Sequence, residues 1–126
     1  MSWSVAVEVA VQTAIKTQID GAGASAYFEI YDSGNVLLST LPLTYPCGTV
    51  SGTTGQLSCT FGDRDEEAAA TGTADHVVLK NAAGVAVETN IPCQAGSTPV
   101  AGYFVMPSLS IVAGTPVEGI DPFTIG

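Results

Sequence analysis

From Ala26 onward apolar and polar residues alternate with a period of two, and Gly, Pro, Asn and Asp cut the pattern into short pieces. Alternation of that kind puts successive side chains on opposite faces of a pleated strand, so this part of the chain is committed to β-sheet. Residues 26–32 read as a strand with Phe28 and Ile30 on one face and Tyr27, Glu29 and Tyr31 on the other. Asp32-Ser33-Gly34-Asn35 is a turn, and residues 36–43 form a second strand whose continuous apolar run leaves its inward face open. Pro46-Cys47-Gly48 and the Gly/Thr/Ser segment to Gly55 read as loop. Leu57, Cys59 and Phe61 alternate as a short strand, which places Cys59 inside.

Residues 62–72 carry Asp63, Arg64, Asp65, Glu66 and Glu67 and read as an exposed loop. Residues 73–80 are a strand with Val77 and Leu79 inward and His76 and Lys80 outward. Asn81-Ala82-Ala83-Gly84 turns into a strand over 85–88, and 92–99 reads as loop. Residues 103–109, 110–113 and 116–125 supply the last strand material. Before all this, Val5, Val9, Ala10, Thr13, Ile15 and Ile19 fall at helical spacing, with Ser2 or Ser4 as N-cap and Gly21 as a stop. A helix over about 4–19 is expected, although Val5 to Val9 also alternates as a strand would. The expected fold is one all-β domain over 1–126, an antiparallel β-sandwich of jelly-roll-like form with one N-terminal α-helix.

Reactive side chains are scarce. The 126 residues include one histidine, three basic residues and twelve acidic ones, for a formal charge of −9. Proton transfer near neutral pH usually recruits histidine. Binding to nucleic acid scales with the phosphates neutralised, and three scattered cations supply few. Direct nucleic-acid binding is therefore not expected, and neither is a membrane span, since no apolar run approaches ~20 residues. The first basic residue is Lys16, so the start lacks the basic region of a signal peptide, and synthesis in the cytoplasm is expected. Cys47, Cys59 and Cys93 are odd in number and lack C-x-x-C spacing, which reads as free thiols. A Cys47–Cys59 or Cys47–Cys93 pair requires an oxidising environment.

No catalytic, cofactor or metal site is expected. Asp75-His76 invites an Asp–His pair, but neighbours on a strand point to opposite faces. Cys59 as a nucleophile would have to lie at the surface, against its alternation. Asp63, Asp65, Glu66 and Glu67 lack the glycine and distal glutamate of an EF-hand loop and read as a solvated acidic segment. The residues that suit an interface are Trp3, Val5 and Val7 near the N-terminus, and Tyr27 and Tyr31 on the face away from Phe28 and Ile30.

Four stretches carry a family resemblance: Ile19-Asp20-Gly21-Ala22-Gly23-Ala24 running on to Phe28-Glu29-Ile30-Tyr31-Asp32; Leu37-Leu38-Ser39-Thr40-Leu41; Ala70-Thr71-Gly72-Thr73-Ala74; and Ser110 to Val117, closed by Phe123-Thr124-Ile125. Together they resemble small capsid cement (decoration) proteins of tailed bacteriophages. The chain departs from that pattern at His76, where members have a bulky aromatic, near Val78, where they have a cation, and over 99–106. The resemblance implies a virion protein on the outer capsid surface that bridges major capsid subunits, acting as a homodimer or small homo-oligomer. Alternatives of other classes are a tail or neck structural protein, and a host-glycan-binding β-sandwich displayed on the particle.

Overall fold

The computed structural model describes residues 4–21, 23–62, 65–100, 102–120 and 122–125. The elements run α1 (Val5–Ile19), β1 (Tyr27–Tyr31), β2 (Leu37–Val50), β3 (Leu57–Phe61), β4 (Gly72–Thr73), β5 (His76–Lys80), β6 (Ala86–Ala95), β7 (Phe104–Met106), β8 (Ser110–Ile111) and β9 (Phe123–Ile125). Strand makes up 43% of the chain against a single helix, so the expected β-rich fold with one N-terminal helix holds at that level.

The two readings of Val5 to Val9 resolve as helix. Ser4 is extended (φ −64°, ψ 157°), and its hydroxyl accepts a hydrogen bond from the Val7 N–H at 3.3 Å, which satisfies one of the open donors of a first turn. Glu8 in the first turn and Lys16 in the last complement the helix dipole. Lys16 also pairs with Asp20 at 3.1 Å, one turn on. The helix packs on β2 and, less extensively, on β3 and β6. Its close approach to the β2–β3 turn is possible because residue 55 is glycine, with φ +74°; a Cβ there would lie 2.4 Å from the Glu8 Cβ.

Seven strands form one sheet in the order β7-β6-β5-β1-β2-β3-β9, and β4 and β8 form a separate two-stranded sheet. The described pairings are antiparallel except β6–β7, which runs parallel, a departure from the wholly antiparallel expectation. The two edges of the seven-stranded sheet come back together. The Gly102 N–H donates to the Thr124 carbonyl and the Ile120 N–H to the Val105 carbonyl, each at 2.8 Å. The sheet is thus nearly closed, which leaves little edge open for pairing with another chain.

Phe28 is the hub of the interior. It is fully buried and meets Phe61, Phe104 and Phe123 at centroid distances of 5.6, 5.0 and 5.1 Å. These rings come from β3, β7 and β9, so one side chain of the central strand touches both closing edges. The alternation read for β1 holds: Phe28 and Ile30 are buried while Tyr27, Glu29 and Tyr31 are half-buried. Cys59, Val77 and Leu79 are also inside, as read.

Three stretches read as loop are ordered differently. β2 continues through Pro46 to Val50, because a wide bulge absorbs the proline: between the pairs Leu43↔Phe61 and Gly48↔Cys59, β2 advances five residues while β3 advances two. β6 continues past Pro92 to Ala95. Pro92 lies opposite His76 at the end of the β5 pairing, and from Cys93 the strand pairs with β7 instead. Pro92 therefore sits where β6 changes partner, a position that needs no ladder N–H. The described part of 62–72 is a packed strap. Asp65 and Val117 exchange backbone hydrogen bonds at 2.9 and 2.7 Å, Ala68 is buried, and the Ala69 N–H donates to Leu38 at 2.8 Å.

Candidate functional site

Of the residues singled out for an interface, Trp3 lies outside the described residues. Val5 and Val7 stand on the first two turns of α1 with 43% and 41% of their surface exposed, and Val11 joins them at 39%. Val7 and Val11 are four apart and share a face. The buried side of the helix is a different one, made by Gln12 and Ile19 with Ile15 partly covered. Exposed valines are costly choices for a helix, since β-branching restricts the side chain there. Packing on the sheet does not account for them. Val11 is not among the expected interface residues, and its four-residue spacing from Val7 is the sequence signal for it.

Tyr27 and Tyr31 project from the outward face of β1, as read, and neighbouring strands knit that face into a network. Tyr31 stacks on His76 of β5 at 5.6 Å with the rings 14° from parallel. Its hydroxyl donates to Glu29 at 3.1 Å, and Glu29 is also paired with Lys80. Burial, and then the bond to Glu29, push the Tyr31 phenol above its ordinary value, so it stays a donor. His76 Nδ1 lies 2.8 Å from the Asp75 carboxylate. That contact corrects the expectation that the two side chains diverge. Asp75 precedes β5 rather than belonging to it, so strand alternation does not govern its direction. The pair fixes an imidazole against a tyrosine ring within a half-buried aromatic and charged network.

Of the acidic segment, Asp63 lies outside the described residues. Asp65 turns inward to accept from the fully buried Ser39 hydroxyl at 2.6 Å and from the Thr40 N–H at 3.3 Å. It thereby fastens the strap to β2. Among the described residues no group of three or more His, Cys, Asp or Glu is placed to hold a metal ion. Cys47 and Cys59 are fully buried and Cys93 is half-buried, all as free thiols. Burial, helped by Asp75, pushes the Cys93 thiol up to about 12, so it is a poor nucleophile. Two cavities, of about 280 and 220 Å³, include Ile15 and Phe123 in one lining and Met106 and Val117 in the other. Among the described residues each is lined by a single titratable side chain, Glu88 and Glu118 respectively, and these do not form an acid–base pair.

Lys16 and Lys80 are each paired with a carboxylate of the same molecule. No described helix is long and apolar enough to cross a membrane. No family model, curated protein or solved structure matches the chain.

Proposed function

We propose that this protein is a capsid cement protein of a tailed bacteriophage, binding the outer surface of the shell and bridging neighbouring major capsid subunits. The observation that carries the reading is the exposed valine face of α1, Val7 and Val11, on a helix whose Gln12–Ile15–Ile19 side is already packed, with Val5 exposed in its first turn. It joins the sequence resemblance to that group of virion proteins. A finer architecture goes with it: the nearly closed sheet acts as a flattened, sandwich-like or jelly-roll-like barrel, rigid enough to transmit load between the subunits it touches.

In this reading α1, with Trp3 just ahead of it, seats on the capsid or on a second copy of the chain as a dimer or small oligomer. The Tyr27–Tyr31–His76 face supplies a second, more polar contact. Each contact is modest, and repetition over the lattice converts modest affinity into stable decoration. The charge of −9 keeps copies apart until docking aligns them and disfavours the packaged polyanion. The paired state of Lys16 and Lys80 argues in the same direction, and the chain acts as a structural protein rather than an enzyme.

Cosedimentation with purified empty shells, run beside pull-down on immobilised host glycans, tests the reading. Saturable binding to shells is expected, reduced at least tenfold by Val7→Asp with Val11→Asp and by Trp3→Ala. Retention on glycans alone would favour the host-binding alternative, and binding confined to tails or necks the other.

A further inference from the structure

The two buried thiols of β2 and β3 have no part in that surface, yet they are placed against each other. Cys47 lies in the wide bulge of β2, next to Gly48, which pairs with Cys59 on β3. The Sγ atoms are 3.9 Å apart, and both side chains are fully buried. A disulfide needs about 2.04 Å, so each sulfur moves by about 1 Å to reach it. The residues just before Cys47 (Thr44, Tyr45 and Pro46) are exposed, so opening the bulge alone brings the thiol to solvent. The Asp20 carboxylate accepts from the Cys47 N–H at 3.0 Å and also holds Lys16. The end of α1 is thereby tied to the same bulge.

We propose that Cys47 and Cys59 are a reversible dithiol/disulfide site that staples the β2–β3 hairpin beneath α1 when the protein meets a low-molecular-weight disulfide. The Cys47 thiolate attacks one sulfur of the oxidant, breaking its S–S bond and releasing one thiolate. Cys59 then attacks the Cys47 sulfur of the mixed disulfide and expels the second thiolate. The two thiol protons of the protein end on the two released thiols; the protein loses two electrons and the oxidant gains them. The surroundings suit this order. The hydrogen bond from Cys59 draws the Cys47 thiol down, opposed by burial and by the Asp20 carboxylate and assisted by Lys16. The same bond and burial hold Cys59 protonated until its turn. Cys93, on β6, is outside the pair.

The test uses the full chain, folded, with oxidised glutathione as the oxidant. Thiols titrated after denaturation are expected to fall from three to one, with peptide mapping joining Cys47 to Cys59 and dithiothreitol restoring all three. Cys93→Ser is expected to fall from two thiols to none. The oxidised chain is expected to melt about 5–10 °C above the reduced one, as closure of a short loop requires. Three thiols surviving at oxidant levels that fully react the unfolded chain would overturn the proposal. So would a link that includes Cys93, or a Cys47–Cys59 bond that fails to raise the melting temperature.

Discussion

Replacing Phe28 with alanine tests the closure of the sheet at its most connected point. The ring is fully buried and touches Phe61, Phe104 and Phe123, three rings from β3, β7 and β9. Phe→Ala in a core costs about 3–5 kcal/mol from lost transfer energy and the residual cavity. Edge-to-face partners add about 0.5–1.5 kcal/mol per pair, not additively. A loss of about 4 kcal/mol is expected, out of a total of roughly 6–19 kcal/mol for a chain of this length. With an unfolding entropy of about 2.1 cal/mol/K per residue, that lowers Tm by about 15 °C. Urea titration of wild type, Phe28→Ala and Phe28→Leu supplies the numbers, with Phe28→Leu losing about 1.5 kcal/mol. Because Phe104 and Phe123 stand on the closing edges, amide exchange in Phe28→Ala is expected to speed up first at Gly102 and Ile120, the donors that join those edges. A loss under about 1.5 kcal/mol for alanine at unchanged urea slope, or exchange that rises evenly, would refute the picture of one aromatic hub holding both edges.

Gly48→Ala is expected to disrupt the β2–β3 ladder, since its Cβ would lie 1.7 Å from the Ser58 carbonyl oxygen; failure to obtain soluble folded protein, or a Tm drop of at least about 8 °C, is the readout. Asp65→Ala leaves the buried Ser39 hydroxyl without its acceptor and is expected to cost about 2 kcal/mol by urea titration, with Asp65→Asn recovering part of it. Stability in reductant is expected to fall as pH rises from about 9 toward 12. The Cys93 thiol is raised in the folded chain, so its contribution is complete below the unfolded value and is lost as pH climbs through the folded one. Urea midpoints at pH 8 and pH 10 should differ less in Cys93→Ser than in wild type.

Much of this architecture was legible because the alternation is strong where the strands are central. β1 and β5 read correctly to the residue face, and the two turns beside them use the same device. Asp32 and Asn81 each accept from the backbone two and four residues on, at 2.8–2.9 Å and 3.0–3.1 Å. The misreadings share a cause. Pro46 and Pro92 signal a break, and whether a strand survives one depends on a partner that can bulge or be exchanged, which is a tertiary fact. The acidic strap looked solvated because its charges dominate its composition, while its backbone pairing with Val117 and the buried Ser39 lie far along the chain. The parallel β6–β7 pair and the return of β9 to β7 leave no mark in local periodicity. At the surface, Val5 and Val7 were visible as apolar residues near the N-terminus, but their exposure became readable only with the buried side of α1 assigned. The His76–Asp75 contact escapes strand alternation because Asp75 stands one residue before β5.

A cryo-EM map of the parent particle decides whether the protein attaches to the outside of a capsid. Density for the nearly closed seven-stranded sheet is expected on the outer surface of the shell. The valine face of α1 is expected at a contact with the major capsid protein or a second copy, and the acidic body outward. A shell bare of this density, with the protein found only in the tail or neck or missing from the particle, would contradict that attachment.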